Sequence, residues 1–185
     1  MTSAGTSRYA AFLRGMNVGG HRVKSDELRS LFEALSFTDV RVFRASGNVV
    51  FTAEHESVAE LAARSEAGLE KALGYAVPMF LRTAEEVRAI AAAQPFDPSL
   101  VEASKGKLQV TMLSSAPTKR ARADVLALST GEDLLALEGR ELYWLPSGGI
   151  LDSVLDLKAI AKLLGVGTTR TKNTVEQIAG KHFAD

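Results

Sequence analysis

Val40-Arg-Val-Phe-Arg-Ala-Ser-Gly-Asn-Val-Val-Phe-Thr52 decides how this chain is read. Two runs rich in β-branched and aromatic residues, Val40 to Ala45 and Asn48 to Thr52, flank Ser46-Gly47, a pair suited to a tight hairpin turn. Upstream, Tyr9, Ala11 and Leu13 alternate with Phe12, which predicts a strand from Arg8 to Arg14. Between that strand and the hairpin, Leu28, Leu31, Phe32 and Leu35 recur at the spacing of a core-facing helix. Ser25 is its expected N-cap, and Asp26 and Glu27 suit the positive end of its dipole. Downstream, Ser57 with Glu60 forms a capping box before a helix striped by Val58, Leu61, Ser65, Leu69 and Ala72. Val77 to Arg82 predicts a fourth strand. Pro78 inside it cannot donate to a ladder, which places that strand at a sheet edge. The order β-α-β-β-α-β is the ferredoxin-like split arrangement, and right-handed crossovers leave few rival topologies.

The remainder is a variation on this order, similar in element order only, with no residue-level repeat visible. Thr83 and Glu86 cap a helix with Val87 and Ile90 inward, and a loop from Pro95 to Gly106 carries Phe96. Leu108, Val110 and Met112 alternate in a strand, and Pro117 opens a helix with Val125 and Leu128 inward. Asp133 to Glu138 and Glu141 to Leu145 read as a hairpin about Gly139-Arg140. Ser153 is the expected cap of a helix striped by Leu157, Ile160, Ala161 and Leu164 and closed by Gly165. Asn173 with Glu176 is the expected cap of a short last helix carrying Val175 and Ile178. The expected fold is therefore α+β: two linked ferredoxin-like halves, residues 1–82 and 83–185, with antiparallel sheets covered by helices and packed as one compact unit.

Composition narrows the function classes. Hydrophobic residues make up 46% and charged residues 24% of 185, enough to build a sizeable core without staples. There is no cysteine, which removes disulfides and thiolate chemistry. No apolar run approaches the ~20 residues of a membrane span, and Met1 to Ser7 lack the apolar core of a secretion signal. A cytoplasmic protein is expected. Basic and acidic residues number 22 each, which argues against broad non-specific nucleic-acid binding. Bases nevertheless predominate before Thr52, with Arg8, Arg14, Arg22, Lys24, Arg29, Arg41 and Arg44 against Asp26, Glu27, Glu33 and Asp39.

That basic stretch coincides with the best candidate site. In a ferredoxin-like half the first two strands run the same way, so their ends share a rim. Arg14, Gly15, Asn17, Gly19 and Gly20 should meet Arg44, Ser46, Gly47 and Asn48 there, beside the helix start at Lys24-Ser25. Glycines let backbone N–H groups turn toward an anion, a helix N-terminus adds its dipole, and arginine offers a planar fork of donors. A nucleotide or phosphorylated metabolite is the expected ligand class. Gly15-x-x-x-x-Gly20 begins like a P-loop, but His21-Arg22 stands where Lys-Ser/Thr is required, so nucleotide hydrolysis is not expected. A purely structural role accounts for the same residues, with the glycines shaping a turn and Asn17 bonding its own loop.

Other constellations are weaker. His21, His55 and His182 lack ligand spacing, so no metal site is expected. Asp97, Glu102, Asp124, Asp152 and Asp156 fall at expected caps or exposed helix faces. No general base with a supporting partner stands out, so catalytic residues and cofactors remain unassigned. Tyr143 and Trp144 offer rings for stacking, but adjacent strand residues face opposite ways and at least one should serve the core. The Arg170 to Asn173 segment is basic and precedes a helix, a second place for an anion. A nucleic-acid-binding module and a protein-interaction or dimerisation module are the alternatives.

Leu13-Arg-Gly-Met-Asn-Val-Gly-Gly20, Leu28-Arg29 with Leu31, and Ala45-Ser-Gly-Asn-Val-Val-Phe51 resemble the bacterial family catalogued as domain of unknown function 1697. The resemblance continues through Arg82-Thr83, Pro95-Phe96 and Leu164-Gly165 to Asn173-Thr174. It implies two linked ferredoxin-like halves and no established activity. Its motif positions here are Arg14, Gly15, Asn17, Gly19, Gly20, Ser46, Gly47 and Asn48. Relatives resembling this chain carry a basic pair before the penultimate helix, where Asp152 and Val154 stand here, and Asn-Trp where Thr171-Lys172 stands.

Overall fold

The computed structural model describes residues 5–44 and 47–184. The chain divides into two units, Met1–Arg88 with Ile178–Asp185, and Ala89–Gln177.

In the first unit, β1 (Thr6–Leu13), α1 (Ser25–Ala34), β2 (Thr38–Val42), β3 (Asn48–Glu54), α2 (Val58–Leu73) and β4 (Met79–Thr83) follow the expected order, and α3 (Ala84–Ala92) begins at once after β4. The sheet runs β2-β3-β1-β4, with every neighbouring pair antiparallel. β1 is central, and from Tyr9 to Leu13 both of its faces are buried. Tyr9, Ala11 and Leu13 join Leu28, Phe32, Leu61 and Leu69 in the core under the helices. Ala10 and Phe12, on the other face, are at most 1% exposed. Phe51 anchors that core: its ring centroid lies 4.3 Å from Phe37 and 5.4 Å from Phe32. The end of the chain returns to this unit, where Arg8 Nη1 donates to the His182 carbonyl at 2.9 Å and Arg88 Nη1 to that of Phe183 at 3.3 Å.

The second unit repeats the topology. α4 (Pro98–Ala103) precedes β5 (Gln109–Leu113), α5 (Lys119–Leu126), β6 (Leu134–Glu138), β7 (Glu141–Leu145), α6 (Leu157–Leu164), β8 (Gly167–Thr171) and α7 (Lys172–His182). The sheet order is β6-β7-β5-β8, again antiparallel throughout. Val125, Leu135, Leu137, Leu142, Trp144 and Ile160 form its core. The α+β class and the paired split β-α-β arrangement are as the sequence predicts.

Several local expectations are corrected. Lys24, not Ser25, is the N-cap of α1, and no side chain caps that helix. Pro78 precedes β4 instead of lying in it, although β4 is an edge strand. β2 ends at Val42 and β3 begins at Asn48; of the expected Ser46-Gly47 turn, Ser46 lies outside the described residues. The stretch from Pro95 to Gly106 contains α4, capped by Asp97 through Ser99 N at 2.8 Å. Asp156, not Ser153, caps α6, because Ser153 is committed elsewhere: its hydroxyl donates to Asp133. Thr171 opens α7 by accepting from Thr174 N at 3.3 Å, which leaves Glu176 to pair with Lys172.

A residue-level repeat does exist at the strand–helix corners. Arg82 and Arg170 hold the same register, opposite Ala10 and Val110 on the central strands. Thr83 and Thr171 end the edge strands, and each starts a helix with no loop between. Thr83 Oγ1 accepts from Glu86 N at 3.2 Å while Glu86 Oε2 accepts from Thr83 N at 2.9 Å.

Candidate functional site

The rim of the first unit is built by backbone bonds. Leu13, the last residue of β1, donates its N–H to the Gly47 carbonyl at 2.8 Å. Arg14 N donates to the Pro78 carbonyl at 3.0 Å. Phe43 N donates to the Asn48 carbonyl at 2.8 Å, and Asn48 Nδ2 returns a bond to the Phe43 carbonyl at 3.2 Å. The start of the 14–20 loop and the 43–48 connection therefore lie side by side.

The loop itself is folded and exposed. Met16 and Val23 are buried and anchor it, at 4% and 8% exposure. Asn17 Oδ1 accepts from Val23 N at 3.0 Å, closing the loop on itself. Tyr75 supports it from α2's C-terminal side: its ring stacks on His21 with centroids 3.9 Å apart, and its hydroxyl donates to the Met16 carbonyl at 3.3 Å. Gly15, Gly19 and Gly20 take φ of 74°, 65° and 88°, a region that side chains disfavour. Arg14, Gly15, Asn17, Gly19 and Gly20 are all exposed.

On the other side, Arg44 is exposed with φ 58°, and its guanidinium lies 5.4 Å from the Phe43 ring centroid. A non-glycine residue in the left-handed region carries strain of about 1 kcal/mol. Gly47 and Asn48 are buried and serve the connection. Ser46 lies outside the described residues. Asp26 pairs with Arg29 at 3.7 Å, and Asp39 accepts from Thr52 Oγ1 at 3.5 Å.

The second unit supplies an internal comparison. Leu113 ends β5 as Leu13 ends β1, and donates to the Arg140 carbonyl in the β6–β7 turn at 2.9 Å. There, Arg140 Nη1 donates to the Ser114 carbonyl at 3.4 Å. Residues 114–118 suffice to reach α5, whereas residues 14–24 separate β1 from α1. The glycine loop is thus longer than the topology demands.

Several other candidates have structural partners. Tyr143 and Trp144 are both buried, at 1% and 7% exposure, so neither ring offers a stacking face. Burial pushes the Arg170 guanidinium down to about 10, and its Nη1 donates to Thr168 Oγ1 and the Thr169 carbonyl. The Ser99 hydroxyl and N–H hold the Asp97 carboxyl below its ordinary pKa. Among the described residues, no three of His, Asp and Glu gather as a metal site, and no helix is long and apolar enough to cross a membrane.

One concavity was not foreseen. A cavity of about 580 Å3 in the second unit is walled by residues 93–108 and by the first turn of α7. Pro95 and Phe96, which the sequence marks only as motif matches, line it together with Asn173, which the sequence marks as a helix cap and as the end of a basic segment. Their grouping at opposite ends of this unit's sequence carried no spacing signal.

Comparison with known proteins places the chain among uncharacterised relatives. The profile of the family described as "Protein of unknown function (DUF1697)" matches residues 6–143. A solved structure, that of conserved bacterial protein SP0830 from Streptococcus pneumoniae, is similar with a TM-score of 0.70 and 22% identity. The match covers 95% of this chain and 98% of that one, a likeness of fold. No curated protein matches.

Proposed function

We propose that this chain, which belongs to the DUF1697 family of proteins of unknown function, binds a small anionic ligand at the rim formed by the 14–20 loop and the 44–48 turn. A nucleotide or phosphorylated metabolite is the class of ligand intended. The supporting observation is the exposed loop with three left-handed glycines, held against the Gly47 turn and longer than its counterpart in the second unit. Backbone N–H groups turned outward by such glycines suit a phosphate. The uncapped N-terminus of α1 follows the loop, and its dipole favours an anion. Arg14, Arg22, Lys24 and Arg44 outnumber Asp26 and Glu27 in these segments.

The nucleic-acid reading has less support. Phe12 and Phe51 are fully buried and Ala10 is 1% exposed, so the central strands offer no exposed rings for bases. Thermal-shift titration with ATP, AMP, ribose 5-phosphate and inorganic phosphate tests the proposal. At least one should raise the Tm of the wild type and leave an Arg14→Ala, Arg44→Ala double variant unmoved. Equal shifts in both proteins would sink it.

A further inference from the structure

We infer that the cavity in the second unit is a separate binding site, for an uncharged, planar nitrogen heterocycle of nucleobase-to-nucleoside size. Its volume of about 580 Å3 lies within the ~300–1,000 Å3 usual for small-molecule sites.

The walls are fixed before any ligand arrives. Asp97 caps α4 at one end. At the other, the Ser104 hydroxyl donates to the Pro146 carbonyl and accepts from Gly106 N at 3.0 Å. Gly106 leaves no slack, since a β-carbon there would lie 2.5 Å from the Pro146 oxygen and 2.6 Å from that of Gly148. On the facing wall, Lys172 N donates to the Leu108 carbonyl at 2.8 Å. A preformed cavity spares binding the entropy of ordering its lining.

The lining specifies the chemistry. Phe96, Pro95 and Pro98 present flat apolar surfaces, with Val101 and Leu108 beside them. The polar groups converge from the first turn of α7. Lys172 is 7% exposed, and its Nζ donates to the Ala91 carbonyl at 2.8 Å and to Glu176 Oε1 at 2.6 Å. Among the described residues these use two of its three donors. Glu176 Oε2 and the Asn173 carboxamide have no partner among the described residues, so the lining offers both an acceptor and a donor.

Lys107 and Lys172 are balanced by Glu102 and Glu176 around the cavity, which gives an ion no net attraction. A neutral ring whose edge alternates donors and acceptors satisfies the α7 groups, while its faces meet Phe96 and the prolines. This site is distinct from the rim in residues and in charge, and does not depend on it.

Isothermal titration of the full chain with adenine, adenosine and uridine tests the inference. Saturable binding of at least one is expected. Asn173→Leu should weaken it roughly tenfold with unchanged Tm, because Asn173 is exposed and makes no side-chain bond among the described residues. Phe96→Ala should weaken it similarly, and Arg14→Ala with Arg44→Ala should leave it intact. Three results would each overturn the inference: no saturable binding of any probe, an unchanged Kd in Asn173→Leu, or AMP binding more tightly than adenosine in the double arginine variant.

Discussion

The indole Nε1 of Trp144 donates to Oδ1 of Asp133 at 2.9 Å, and the acceptor is a carboxylate only 1% exposed. Asp133 Oδ2 accepts from the Ser153 hydroxyl at 3.0 Å, and Ser153 Oγ accepts in turn from Leu155 N at 3.1 Å. One buried carboxylate thus ties the β6–β7 hairpin to the segment that enters α6. Asp133→Ala leaves the indole N–H buried without its acceptor and should cost about 3 kcal/mol. Asp133→Asn keeps an acceptor oxygen and should lose less. Urea unfolding followed by the fluorescence of the single tryptophan measures both. A loss under about 1 kcal/mol in Asp133→Ala would show that the network contributes little.

Gly106 is required by contact, not by dihedral. An alanine methyl would have to displace the backbone at Pro146 and Gly148, which cannot swing aside as a side chain can. Gly106→Ala should destabilise by about 2 kcal/mol. At Gly68 the atom met is the mobile Leu35 Cδ2, so Gly68→Ala should cost less. Paired thermal melts of the two variants check the order.

Arg44 separates folding from binding. Its φ of 58° suits glycine, so Arg44→Gly relieves strain while losing the guanidinium over Phe43. Stability should stay within about 1 kcal/mol of wild type. Phosphate-ligand binding at the rim should fall at least as far as in Arg44→Ala.

The corner threonines should behave as a matched pair. Thr83→Ala and Thr171→Ala each remove the first acceptor of a helix and should each cost about 1 kcal/mol. Thr171 is the more sensitive of the two, because its hydroxyl also bonds that of Thr174 at 2.9 Å, whereas the bond from Thr83 N to Glu86 survives in alanine. Chemical denaturation of the single variants and of the double variant gives the costs and their additivity.

His182 predicts an acid-side loss of stability. Burial lowers its pKa, and the neighbouring Lys181, Arg8 and Arg41 lower it further. The unfolded chain then binds a proton that the folded chain refuses. The contribution is fully present above the ordinary pKa near ~6.5 and declines as pH falls below it. Urea midpoints from pH 7.5 down to 5 should drop less steeply in His182→Gln than in wild type.

Much of the fold is legible in the sequence because its signals are local. The alternation of Tyr9, Ala11 and Leu13, the stripe of Leu28 and Phe32, and the box of Ser57 with Glu60 each act within a few residues. Two of the misread caps share one physical cause. Ser153 and Glu176 have cap chemistry and suitable spacing, yet Asp133 and Lys172 recruit them through tertiary contacts. Gly15, Gly19 and Gly20 announce a special backbone, and the structure gives all three positive φ. The buried, connection-serving role of Asn48 was not legible, since it depends on Phe43 lying opposite.

By itself the sequence determined the α+β class, the paired split β-α-β arrangement and the order of elements in the first unit, because hydrophobic period and turn chemistry are properties of neighbouring residues; it did not mark α4 or β8. Tertiary structure alone decided which distant residues meet. Leu13 reaches Gly47 because β1 pairs with β3 in one register. Phe96 and Asn173 share a cavity because β8 pairs with β5 and delivers α7 beside the segment that precedes β5. Sheet register and close packing select such contacts, and neither is encoded in the spacing of any short stretch.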